Sequence, residues 1–108
     1  MKHALVTGGS GGIGAAICRR LAADGCQVFI HAHRGIAVAQ QLADEIQTGG
    51  GHAQALAFDV TDRNAVENAL MPLLDAQPIQ ILVNNAGIHD DAVLPGMRAE
   101  QWHRVIDV

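Results

Sequence analysis

Short apolar runs alternate along the chain with longer stretches in which apolar residues recur at helical spacing. Ala4-Leu5-Val6 reads as a strand that ends at Thr7. From Gly12 to Ala23, residues Ile13, Ile17 and Leu21 fall at four-residue steps, on one face of a helix. Gly25 follows, where glycine commonly closes a helix. Val28-Phe29-Ile30 is a second strand. A second helix over Ile36 to Thr48 puts Ile36, Ala39, Leu42, Ala43 and Ile46 on one stripe, and Gly49-Gly50-Gly51 ends it. The third strand spans Ala53 to Phe58. Thr61 or Asp62 caps a third helix with apolar positions Ala65, Val66, Ala69, Leu70 and Leu73. Pro72 falls inside that pattern and predicts a kink or an early end. Ile79 to Val83 is a fourth strand, followed by a loop over Asn84 to Gly96. A last helix starts near Arg98, with Trp102, Val105 and Ile106 on its buried side.

Strands alternating with helices of this length imply a parallel sheet with right-handed crossovers and helices on its faces. The strands show little apolar–polar alternation, as expected when both faces are covered. The fold class is α/β, a doubly wound parallel sheet of about four strands and four helices. The pattern is still running in the last helix at Val108, so the sequence reads as the first half of a domain over 1–108, with its fourth strand at an open edge.

Composition narrows the chemistry. The chain has 108 residues, 49% hydrophobic and 17% charged, with a formal net charge of −4, a globular balance for one small domain. The arginines are scattered, with none of the basic striping that nucleic acid requires. The apolar runs are far too short to cross a membrane, and Met1-Lys2-His3 leads into no secretory signal. Cys18 and Cys26 lack Cys-x-x-Cys spacing and read as small buried thiols in a reducing, cytoplasmic setting. There is no tyrosine, and Ser10 and Lys2 are the sole serine and lysine. Chemistry that needs a tyrosine acid, or a serine paired with a mid-chain lysine, is excluded within these residues.

The densest motif is Thr7-Gly8-Gly9-Ser10-Gly11-Gly12-Ile13-Gly14, between strand one and helix one. Glycines allow a tight turn and close approach of backbone to a pyrophosphate, and the helix amino end supplies free N–H groups and partial positive charge. A flexible glycine-rich loop is the plain alternative, and placement between a strand and an amphipathic helix weighs against it.

The spacing is Thr-Gly-x-x-x-Gly-Ile-Gly, and Asp59-Val60 follows strand three while Asn84-Asn85-Ala86-Gly87 follows strand four. With these three motifs in order, the chain from Lys2 to Val108 resembles the short-chain dehydrogenase/reductase family, whose fold is of Rossmann type. The helix Trp102-x-x-Val105-Ile106-Asp107 makes the 3-oxoacyl-acyl-carrier-protein reductases the nearest type, with related sugar and steroid reductases sharing the same first half. The resemblance implies that Thr7, Gly8, Ser10, Gly12, Ile13 and Gly14 form the cofactor turn. It implies that Asp59 accepts from the adenine amino group, with the Val60 backbone completing that contact. Asn84, Ala86 and Gly87 would pack beside the cofactor ribose and brace the sheet. Where an NAD-selective site carries a carboxylate at the end of strand two, this chain has Ala32, flanked by His31, His33 and Arg34. That predicts NADP(H), with His33 and Arg34 toward the 2′-phosphate, although Gly11 stands where NADP-preferring relatives often carry a second basic residue.

The resemblance further implies reduction of a carbonyl, on a small-molecule or acyl-carrier-protein-bound substrate, by a homotetrameric enzyme. Its catalytic serine, Tyr-x-x-x-Lys pair and asparagine would lie beyond Val108, so the 108 residues alone are expected to be inactive. A non-catalytic dinucleotide-binding module, or a split chain with a complementary partner, is the alternative. A Rossmann-like methyltransferase is disfavoured, since it wants an acid at the end of strand two. His31 and His33 alternate on a strand and would share a face, but no third ligand lies near them, and the reading is no metal. His89, Asp90 and Asp91 read as a solvated loop, and His3, His52 and His103 as surface residues.

Overall fold

The structure, a computed structural model, describes residues 1–9 and 11–85. Its elements in chain order are β1 (His3–Thr7), α1 (Gly12–Ala23), β2 (Gln27–Ala32), α2 (Ile36–Thr48), β3 (His52–Ala57), α3 (Arg63–Ala76) and β4 (Ile79–Asn84). All four strands are parallel, in the order β3-β2-β1-β4. The expected α/β fold is there, with three helices among the described residues. The expected last helix, with Trp102, Val105 and Ile106, lies outside them, as do Ser10, Ala86, Gly87, His89 and His103.

Burial follows the strand pleat. Ala4 and Val6 of β1, with Val28, Ile30 and Ala32 of β2, face a core completed by Cys18 of α1 and Ala39, Leu42, Ala43 and Ile46 of α2. Leu5 and Phe29 point to the opposite face, where Phe58, Val60, Val66, Leu70, Leu74 and Ile79 form a second core with α3. Helices therefore cover both faces, and the middle residues Ala4–Val6 of β1 and Val28–Ile30 of β2 are apolar for that reason.

The order of the strands matters most for function. The chain leaves β1 for β2 and β3 on one side, then returns to place β4 on the other. The carboxyl ends of β1 and β4 thus flank the switch point of the sheet, the crevice where ligands of open α/β sheets bind.

Several details differ from expectation. The third helix continues through Pro72 to Ala76, because Pro72 is on the exposed side and Leu74 beyond it is buried. Of the α1 stripe, Ile13 is 73% exposed, while Gly14 and Cys18 make the buried contact. Ile36 is 41% exposed, at the open first turn of α2. His3 is half-buried rather than on the surface, edge-on to the Phe29 ring at 5.4 Å between centroids. Both thiols are free and buried, and burial pushes the Cys18 thiol up to about 11.

Candidate functional site

At the end of β1 the backbone turns at Gly8, whose φ of 65° lies in the left-handed region that glycine adopts at little cost. The first turn of α1 then packs directly on this bend. A Cβ on Gly14 would stand 2.5 Å from the Gly8 carbonyl oxygen and 2.8 Å from the Gly9 Cα, so only glycine lets helix and turn meet. Gly12 is the opposite case, because a Cβ there would meet no described residue beyond its own helix turn within 4 Å. Among the described residues no packing demand explains its lack of a side chain. Gly11 caps α1 without a side-chain hydrogen bond, and no acid occupies the first turn. The amino end of α1 thus presents N–H groups, the positive end of its dipole and unfilled space above Gly12. Ile13, exposed beside this space, is the apolar member of the turn.

Thr7 is fully buried and ties the turn to β4. Its hydroxyl lies 2.9 Å from the Asn84 Oδ1 and 3.3 Å from the Val83 carbonyl, and it accepts from the Asn85 N–H at 2.9 Å. The Asn85 amide reaches the Gly8 carbonyl at 3.4 Å. Asn84 therefore joins the carboxyl ends of β1 and β4, across the switch point.

The other side of the turn is held by His31. This residue is 1% exposed in β2. The Gly8 N–H donates to its Nδ1 at 3.0 Å, and the next N–H, of Gly9, donates to its main-chain carbonyl at 2.9 Å. Nε2 lies 2.8 Å from the Phe58 carbonyl oxygen, and the imidazole leans on the Phe58 ring at 4.3 Å between centroids. Because Nδ1 accepts, the proton sits on Nε2 and is donated to Phe58. Burial pushes His31 below the ordinary imidazole range, with the Phe58 carbonyl opposing that shift.

His33 lies past the end of β2, exposed, with Nε2 3.8 Å from the Asp59 Oδ2. Arg34 follows it at the surface. Asp59 Oδ1 accepts from the Thr61 hydroxyl at 2.7 Å and from the Thr61 N–H at 2.9 Å. These two donors, with smaller contributions from His33 and Arg34, hold the Asp59 carboxyl below its usual range. Val60 beside it is buried in the α3-side core. Asp62, not Thr61, caps α3, accepting from the Ala65 N–H at 3.2 Å.

The structure thus gathers Thr7, Gly8, Gly12, Ile13, Gly14 and Asn84 around one turn, and His33 and Asp59 face each other at the carboxyl edge beside it. Sequence reasoning missed His31 as part of this frame. The available signal was a single polar residue in the apolar run Val28-Phe29-Ile30-His31-Ala32 of a strand covered on both faces. A polar group in such a place must find hydrogen-bond partners.

A family profile described as short chain dehydrogenase matches residues 2–108. A short-chain dehydrogenase/reductase FrzI from Cladobotryum sp. is 41% identical over 108 residues, 99% of this chain and 42% of that protein. A 3-oxoacyl-[acyl-carrier-protein] reductase from Synechocystis sp. is 40% identical over 106 residues, 97% of this chain and 43% of its own length. Among solved structures, a metagenomic short-chain oxidoreductase in complex with NADP superposes with a TM-score of 0.75 at 33% identity, covering 96% of this chain and 48% of that one. The chain spans less than half the length of these relatives. With its parallel sheet, its glycine turn at the switch point and this profile match, the chain belongs to the short chain dehydrogenase family, of which it carries the amino-terminal part.

Proposed function

We propose that this chain is the cofactor-binding half of an NADP(H)-dependent oxidoreductase that reduces a carbonyl to an alcohol. The observation that carries the reading is the open amino end of α1, where Gly12 leaves space that no described side chain fills. A dinucleotide pyrophosphate fits such a place, since it accepts from several N–H groups at once and needs the backbone bare. In this reading Thr7, Gly8, Ser10, Gly12, Ile13 and Gly14 form the turn against the pyrophosphate. Asp59, ionised well below neutrality, accepts from the adenine amino group, and the Val60 backbone assists. Asn84, Ala86 and Gly87 border the ribose on the β4 side. The nicotinamide supplies a hydride when bound, and this half of the protein orients it.

A 3-oxoacyl thioester, small or carried on an acyl carrier protein, is the substrate class we infer. The likeness to the Synechocystis reductase supports it. No helix among the described residues is long and apolar enough to cross a membrane, and both described thiols are free, which suits a reducing cytoplasm. The active enzyme is a homo-oligomer in this reading, and its serine, tyrosine and lysine come from outside these residues.

The preference for the phosphorylated cofactor rests on the end of β2. His33 and Arg34 stand there and Ala32 replaces a carboxylate, so β2 itself presents no acid against a 2′-phosphate and a guanidinium is available to it. A charge-assisted hydrogen bond of ordinary strength corresponds to about tenfold or more in affinity. Competitive titration of the full-length protein tests this. Tighter binding of NADPH than NADH is expected, and Arg34→Ala should weaken NADPH about tenfold while leaving NADH unchanged. Equal affinity for the two cofactors, or no effect of Arg34→Ala, would overturn it. Cofactor binding without reduction of any ketone would point instead to a non-catalytic module.

A further inference from the structure

We propose that His31, as the Nε2–H tautomer, is a positioning residue that holds the cofactor turn through its acceptor contact with the Gly8 N–H. The inference rests on the cofactor reading above. It stands on three contacts made by one residue at the centre of the sheet. The Gly8 N–H donates to Nδ1 at 3.0 Å, the Gly9 N–H donates to the His31 carbonyl at 2.9 Å, and Nε2 donates to the Phe58 carbonyl at 2.8 Å. Gly8 opens the phosphate turn, and Phe58 immediately precedes Asp59. The ring is oriented from the Phe58 side, and its Nδ1 is thereby turned to hold the Gly8 N–H at the opening of the phosphate turn.

The alternative is that His31 merely fills core space. Its environment argues against this. An apolar residue would fill the same volume, but would leave the Gly8 N–H without its acceptor, at the bend where φ is positive. The tautomer is dictated from outside the ring, since an N–H faces Nδ1 and a carbonyl faces Nε2. Of the titratable groups that bear on the ring, His33 lies on its own chain segment and Asp59 on the loop after β3. β1 ends at Thr7 and is followed by Gly8, β3 pairs Leu56 with His31, and α3 buries Val66, Leu70 and Leu74; none of these titrates.

Two substitutions separate the two arms. In His31→Asn the side-chain oxygen occupies the place of Nδ1 and can still accept from Gly8, whereas the arm to Phe58 is lost. In His31→Gln the terminal amide reaches toward Phe58, and the Gly8 acceptor is lost. NADPH affinity of the full-length protein, measured by calorimetric titration at pH 8, is expected to stay within about threefold of the unaltered protein in His31→Asn. It should fall at least about fivefold in His31→Gln, the size set by one hydrogen bond to a buried N–H. Imidazole nitrogen shifts in the unaltered protein should show Nδ1 unprotonated and Nε2 protonated.

Equal losses in the two variants, in step with their melting temperatures, would make His31 a packing residue and overturn the proposal. An Nδ1-protonated ring would do the same. If His31→Gln binds NADPH as the unaltered protein does, only this proposal falls. If the unaltered protein binds no dinucleotide, the cofactor reading falls and this one with it.

Discussion

Two helix amino ends at the carboxyl edge of the sheet are built in opposite ways. α3 begins at Asp62, whose carboxylate accepts from the Ala65 N–H and so satisfies one of the helix's own free donors. Just ahead of it, Asp59 and Thr61 bind each other. α1 begins at Gly11, with no side chain to cap it, no acid in its first turn and open space over Gly12. The turn behind α1 is nevertheless pinned from beneath, by His31 on one side and by Thr7, Asn84 and Asn85 on the other. Rigidity beneath an unsatisfied surface is the mark of a binding site, and self-satisfaction is the mark of a structural helix end. α2, which starts at Gly35 beside His33 and Arg34, is also uncapped by a side chain, so the two bare ends lie together on the side of the proposed cofactor.

The largest effect should come from joining helix and turn wrongly. Gly14→Ala forces a Cβ against the Gly8 carbonyl and the Gly9 Cα, backbone atoms that cannot step aside. It should destabilise the protein by about 1–3 kcal/mol in chemical denaturation, and abolish NADPH binding as well. A variant that melts and binds like the parent would mean that the α1 end is not fixed by this contact.

Asp62→Ala sharpens the contrast from the other side. Losing the α3 cap should cost about 1 kcal/mol of stability and leave cofactor affinity unchanged. If affinity fell beyond what the stability loss explains, the two helix ends would not be separable in function.

A smaller effect concerns pH. Burial holds His31 below the imidazole value of 6.5, so the unfolded chain takes up a proton first as the solution is acidified. Stability is therefore full above about pH 6.5 and falls as the pH drops below it. His3, also lowered by burial, adds in the same direction. His31→Asn should flatten this slope in melts recorded between pH 8 and pH 5. An unchanged slope would contradict the buried, neutral state of His31.

Much of this was legible in the sequence, for reasons that are local. Apolar runs bounded by glycines mark β1 and β2, and helical spacing marks α1, α2 and α3 to within a few residues. Gly8 and Gly14 belong to a spacing that places them at the turn. What could not be read depends on which strands become neighbours. His31 acquires its role because β2 lies beside β1 and β3 together, so that one ring meets Gly8 and Phe58. Ile13 and Ile36 fit their helical stripes, yet each lies at an open first turn where the stripe has run past its partner. Pro72 breaks a rule of helix interiors without stopping α3, because the packing of Leu70 and Leu74 on either side holds the helix together.

The central claim is that Gly12 is bare for a ligand rather than for the fold, and Gly12→Ala tests it most directly. Among the described residues the new methyl group meets no atom beyond its own helix turn within 4 Å, and alanine is the better helix former. Thermal stability and NADPH affinity measured on the same preparation of the full-length protein should therefore move apart. Stability is expected to hold or rise, by up to about 1 kcal/mol, while NADPH affinity falls about tenfold or more. Unchanged NADPH affinity in a stably folded Gly12→Ala protein would contradict the account.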